Sequence, residues 1–304
     1  MMKAGPALFA VAVSWVMAGC GGGTDHGFSR MYQTELDPDW DQIPAIFAIR
    51  GASAGDVWAT GQFGTAFHYA GGHWTKGTTA SDAGSIASLT GVTASNALAL
   101  DLVYGDTYRW NGTEWATVGV GSDSRFAIWA DSPQSIWSHG LAAEHWDGQT
   151  WSPVASSNAI FINAMAGIDL GSMYAVGGYG VAMHFDGTSW QDVPTGSAID
   201  LHAVWVESAT SVWMVGDAGT ILHWDGATTT TVDGGTQHDL TAVSGTGPTD
   251  VWAAGYGGAV IHWDGAAWTY AVTPNGEDIN CAWASAPNQL WIGDVSGAIW
   301  RYVP

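Results

Sequence analysis

The sequence predicts an all-β fold: a seven-bladed β-propeller with four-stranded blades, in which an N-terminal segment completes the last blade. Three observations carry this expectation. An apolar landmark recurs at a near-constant period, since Trp58, Leu98, Trp137, Tyr174, Trp213, Trp252 and Trp291 are separated by 40, 39, 37, 39, 39 and 39 residues. A self-similar unit of this length marks an array of supersecondary modules, and seven copies imply seven blades. Each unit also holds four short apolar stretches, as in "LTAVSG" (240–245), "DVWAAG" (250–255), "AVIHWDG" (259–265) and "AWTYAV" (267–272), separated by turn-forming residues. Four consecutive hairpin-linked strands make one blade. Finally, 42 glycines and 20 tryptophans, with 47% apolar and only 12% charged residues, suit short strands joined by tight turns rather than helices.

The chain opens with "MMKAGPALFAVAVSWVMAGC", where one cation, Lys3, precedes an apolar run of about fourteen residues and then small residues before Cys20. The run is too short to span a bilayer comfortably, so residues 1–19 are read as an export signal. Residues 20–42 follow as a cysteine, a Gly-rich tether and a closing segment. Within them, "SRMYQTEL" (29–36) is the stretch of strand length ahead of the first unit. The seventh unit stops at "AIWRYVP" after its third stretch, so this early segment is expected to supply the missing outer strand and remove an exposed edge. "DPDWDQI" (37–43) alternates Asp37, Asp39 and Asp41 like a calcium loop. Gln42 stands where Gly is required and Ala48 where a bidentate Glu is, so it reads as a solvated acidic linker. Residues 43–304 form the propeller.

Within each unit the "HWDG" phrase has an architectural reading. Asp-Gly supplies the turn between third and fourth strands, because Gly tolerates positive φ and the Asp carboxylate can bond the turn backbone. His68, His145, His184, His223 and His262 occupy one register on the third strand, with Arg109 and Arg301 in the same place. Equivalent residues on an outer strand diverge around a ring, so they cannot converge on one ion. Each His is expected to bond nearby backbone, and neither a metal nor a cofactor is predicted. Cys281 is the one thiol left beside Cys20, which rules out an internal disulfide once Cys20 is committed.

Two resemblances add to this reading. "VMAGC" resembles the lipobox of bacterial lipoproteins, which implies that Cys20 is lipidated, becomes the new N-terminus and anchors the chain to a membrane. Gly21 after the cysteine, by resemblance to enterobacterial sorting, implies the outer membrane, on its periplasmic or surface face. "HFDGTSW" (184–190) and its copies resemble the Asp-box (BNR) repeat of sialidase-type propellers, although there one residue separates Asp from Gly and here the two are adjacent. Over almost the whole mature chain the repeat is similar to BNR-like propellers, in particular the Trp-rich repeat lipoproteins of predatory delta-class bacteria, and its ring is WD40-like. Such motifs imply a fold and leave the activity open.

Charge narrows the function. A net charge of −21 with only 7 Lys plus Arg repels a phosphate backbone, which excludes nucleic acid as a partner. A sialidase needs an arginine cluster, whereas Arg109 and Arg301 already sit on third strands, leaving Arg30, Arg50 and Arg125. Other glycosidases need two facing carboxylates; Asp217 and Asp294, in equivalent turns of blades five and seven, at least share a face. The near-constant spacing leaves no room for the long insertions that build active sites on such scaffolds. Binding fits better. The second position of each innermost strand, read as Phe47, Ala87, Ala127, Asn163, His202, Thr241 and Asn280, converges on the central channel. Asn163, His202, Thr241 and Asn280 form a polar arc there, and Phe63, Tyr179 and Tyr256 in the turns between second and third strands border the same mouth. Aromatic faces beside amides, hydroxyls and carboxylates suit a sugar or a peptide. The expectation is therefore a monomeric, surface-anchored lipoprotein: a non-enzymatic scaffold that binds an unknown protein or glycan at the cell surface. The alternative is a carbohydrate-active enzyme, a glycoside hydrolase of BNR-like type.

Overall fold

A computed structural model describes residues 27–34, 43–77, 84–93, 96–119, 125–157, 161–273 and 275–304. The export signal, Cys20, most of the tether and the aspartates of the acidic linker lie outside the described residues.

The chain folds into seven four-stranded antiparallel sheets. The sixth blade shows the pattern, with strands Leu240–Gly247, Asp250–Gly255, Ala259–Trp263 and Trp268–Val272 in order from axis to rim. Innermost strands begin at Ile46, Ile86, Arg125, Ile162, Leu201, Leu240 and Ile279, and each adjoins the next, the seventh adjoining the first. The N-terminal strand Gly27–Gln33 pairs antiparallel with Ala298–Val303, so the last blade is built from both chain ends as expected. Phe28 packs on Tyr302, and Tyr32 on Phe67 of the first blade, so this strand also seals the seam beside it.

The core lies between blades, in seven apolar clusters that each span one pair of neighbours. A blade is a thin sheet with two apolar faces, and only a neighbour on each side covers both. The landmark residues occupy these seams: Trp58, Leu98 and Trp291 are fully buried, and Trp137, Tyr174, Trp213 and Trp252 nearly so. Burial of each aromatic landmark contributes roughly 2–3 kcal/mol.

The Asp-Gly turns behave as read. Asp147, Asp186, Asp225 and Asp264 each accept the backbone N–H groups two and three residues on, at 2.7–2.9 Å, and the following glycine has positive φ. Asp186 is held lowest, at about 2, first by the Thr188 hydroxyl and then by the backbone donors. The third-strand histidines need a correction. Only His184 bonds backbone, at Gly171. His68, His145, His223 and His262 instead bond the side chain that starts the second strand, namely Asp56, Ser135, Ser211 and Asp250, at 2.7–2.9 Å. Each ring lies against its landmark aromatic, with centroids 4.0–4.6 Å apart. A polar partner at the strand start is therefore what orients the imidazole over the indole.

Candidate functional site

Every innermost strand carries one extra residue just after its start, where the pairing register slips. The bulge turns that residue toward the axis. The seven are Phe47, Ala87, Phe126, Asn163, His202, Thr241 and Asn280, and all line the central channel, a cavity of about 180 Å³. Phe126 corrects the sequence reading of Ala127. Blade three starts with Arg125, a cation where the other blades start with Ile or Leu, and this hid the register by one residue. Arg125 is nonetheless buried, its Nε bonding Glu144 at 2.8 Å and its guanidinium lying 3.7 Å from the Trp151 ring centre.

Three members of the polar arc tie blades together. Asn163 Nδ2 donates to Leu201 O at 2.9 Å, Thr241 Oγ1 to Ile279 O at 2.5 Å, and Asn280 Nδ2 to Ile46 O at 3.0 Å. Their carbonyl and hydroxyl acceptors stay available to the channel. His202 differs, because its Nε2 meets Asp217 Oδ1 of its own blade at 2.5 Å. Both are partly exposed, so the pair forms a charge-assisted contact at the rim.

Above the channel, a mouth cavity of about 290 Å³ gathers His202, Thr241 and Asn280 with Tyr256, Phe47, Ala87 and Leu102. Leu102 was missed by the sequence reading; it occupies the second-to-third-strand turn of blade two, where the landmark itself is Leu rather than aromatic. Asn163 lines the channel but not this cavity, and Phe63 and Tyr179 sit farther out on the same face. Asp294 lies elsewhere. It pairs with Ile279 at the register that Gly216 holds opposite Leu201, so it is one place earlier than Asp217. Its buried carboxylate accepts from Ser296, Ala298, Asn275 and Trp300 and organises its own turn.

The turns between second and third strands of blades four, five and six share a further device. Tyr179, Ala218 and Gly257 have left-handed backbones, with φ of 55°, 53° and 65°. The N–H of each donates to an aspartate of the next blade: Asp200 at 2.6 Å, and Asp239 and Asp278 at 2.7 Å. These aspartates recur at 39-residue intervals directly before innermost strands, a signal present in the sequence itself. The result is a rigid rim whose turns are held across the seams.

This face is also the apolar one. Thirteen large apolar side chains are exposed among the described residues. Nine stand on the face where innermost strands begin: Val103, Tyr104, Leu141, Tyr179, Tyr256 and Val295 in turns, and Ile43, Phe161 and Ile199 just ahead of innermost strands. The opposite face exposes Ile168 and Leu170, and the remaining two are on outer strands. No group of His, Cys, Asp and Glu among the described residues is arranged to hold a metal.

No family model matches the chain, and no curated protein matches it. Solved structures do match in fold. YCF48 bound to D1 peptide aligns with a TM-score of 0.72 at 16% identity over 91% of this chain and 96% of that one. A catalytically inactive virginiamycin B lyase from Staphylococcus aureus with quinupristin aligns with a TM-score of 0.76 at 13% identity over 92% and 100%. The WD40 β-propeller domain of Doa1 aligns with a TM-score of 0.72 at 9% identity over 91% and 97%. Identities this low establish the shared propeller architecture.

Proposed function

We propose that this protein is a non-enzymatic binding propeller that holds an extended peptide or protein segment across the face where its innermost strands begin, over the channel mouth. The distribution of exposed apolar side chains carries the reading: rigid turns present Tyr179 and Tyr256 to solvent on that face. A propeller bound to a peptide among the fold neighbours supports it. The rim is suited to the task because the interblade hydrogen bonds fix the turns before any ligand arrives, which limits the ordering cost of binding. Asp217 and Asp294, the carboxylates a glycoside hydrolase reading relied on, do not face each other, since Asp217 contacts His202 at the rim whereas Asp294 is buried in its own turn.

We further propose that the chain is an exported lipoprotein, anchored through Cys20 to the outer membrane. Cys20→Ser should move it from the membrane fraction to the soluble one; equal detergent-dependent recovery of both forms would reject the anchor. The binding reading is tested by panning displayed random peptides against the purified chain, beside a glycan array and a panel of chromogenic glycosides. Peptides captured by the parent and lost with Tyr179→Ala and Tyr256→Ala, but retained with Leu170→Ser on the other face, support it. Glycan capture without peptide capture would replace the ligand class, and glycoside turnover would overturn the non-enzymatic reading.

A further inference from the structure

The polar arc and the aromatic turns leave one channel residue unexplained. Arg50 lies on the innermost strand of blade one, three residues beyond Phe47, and so about 10 Å down the strand from the bulge. Its side chain lines the channel and is exposed to solvent along the axis. It makes no hydrogen bond or ion pair with another described residue.

The other arginines among the described residues all have partners. Arg125 bonds Glu144 and covers Trp151, and Arg301 bonds Gln289 and covers Trp291. Arg109 reaches Pro133 O, and Arg30 lies over Trp300. In a chain with 28 carboxylate side chains, none lines the channel among the described residues. A wall carboxylate would have neutralised Arg50. The channel instead keeps one cation with no counter-charge among the described residues.

Packing does not account for it either. At the same register, blades three, five and seven carry Trp129, Trp205 and Trp283, each lying over a glycine of the next blade. A Cβ built on Gly167, Gly245 or Gly51 would meet those indoles at 3.1, 2.7 and 2.7 Å. Blade two offers the corresponding Gly91, whose nearest neighbours do not include Arg50. Where the other odd-numbered blades lay an indole over a glycine of the next blade, blade one places a guanidinium with no partner among the described residues.

We propose that Arg50 is the anchor of an anion site within the channel, and that its ligand is a carboxylate. The guanidinium presents parallel N–H donors that match a carboxylate's two oxygens, and it stays protonated even when desolvated. The channel wall offers no competing carboxylate among the described residues, and outer-surface acids are screened beyond about 8 Å at physiological ionic strength. The carboxylate is either a free small anion or the C-terminus of an extended chain threaded along the axis. The site stands on the channel alone and does not require the docking face.

Titration of the purified full chain with 13C-acetate, followed by NMR line broadening, tests it. Acetyl-trialanine with a free C-terminus and the same peptide as its amide are the comparison probes. Saturable acetate or acid-peptide binding is expected in the parent, weakened at least tenfold in Arg50→Gln and partly kept in Arg50→Lys. The amide should bind at least tenfold more weakly than the acid peptide. Acid peptide stronger than acetate identifies a chain terminus as the ligand, and equal affinities a free anion. Because Arg50 has no partner among the described residues, Arg50→Gln should melt no lower than the parent. Binding unchanged in Arg50→Gln, or no saturable binding of acetate or acid peptide to the parent, overturns the proposal.

Discussion

Replacing Tyr179 by glycine should weaken ligand capture while leaving the fold equally or more stable. Tyr179 sits in the left-handed region at φ 55° and ψ 31°, and its side chain is 74% exposed. A non-glycine residue costs roughly 1–2 kcal/mol in that conformation. Glycine relieves this strain but adds about 0.5–1 kcal/mol of conformational entropy to the unfolded chain. The N–H to Asp200 bond belongs to the backbone and survives the change. The net is a stabilisation of about 0.5–1 kcal/mol, which for a domain of this size raises Tm by about 1–3 °C. Blade six provides the precedent, with Gly257 at the equivalent position. The reciprocal change, Gly257→Ala, introduces the strain and brings a Cβ to 3.0 Å from the His238 ring, so it should cost about 1 kcal/mol or more. Both are read by thermal and urea melts followed by circular dichroism, with peptide binding measured on the same samples. A fall in Tm of more than about 3 °C for Tyr179→Gly would show that the ring stabilises the fold, and would refute the view that it is displayed for a ligand.

His139 should make the fold acid-sensitive. Its ring is fully buried, bonding Gly140 O and Ser156 Oγ at 3.2 Å, and burial pushes its pKa down to about 4. The folded state keeps the ring neutral while the unfolded chain protonates it near 6.5. Its contribution is therefore full above about 6.5 and lost as pH falls toward 4, by about 3 kcal/mol. His139→Gln should flatten that part of the urea-stability profile, and an unchanged slope would assign it to other groups. Deleting residues 27–33 strips the last blade's outer strand and the packing of Phe28, Met31 and Tyr32, so Tm should drop by about 10 °C or more; an unaltered melt would mean that the ring does not depend on this closure. Trp283→Ala uncovers Gly51 at the seam between the last and first blades, and should cost about 3 kcal/mol in a denaturant melt.

Much of the architecture was legible because it is local. The period of the landmark residues sets the number of blades, Asp-Gly sets the outer turn through its own backbone bonds, and a last unit short of one strand calls for a partner near the N-terminus. Each follows from which residues are apolar and how far apart they stand along the chain. Ring symmetry projects one strand position toward the axis, and His202, Thr241 and Asn280 accordingly line the channel mouth with Tyr256 beside them. The rest depends on partners far apart in sequence. Arg125 obscured the bulge at Phe126 because a cation can fill an apolar position once Glu144 and Trp151 receive it. The amide of Asn280 reaches Ile46 O across 234 residues, a bond that exists only when the ring closes. Arg50 reads as one arginine among several until the seams are assembled, when the others find partners and it finds none among the described residues. Periodicity fixes where a strand lies, whereas the environment of a side chain is fixed by the neighbouring blade, and that neighbour is set by tertiary closure.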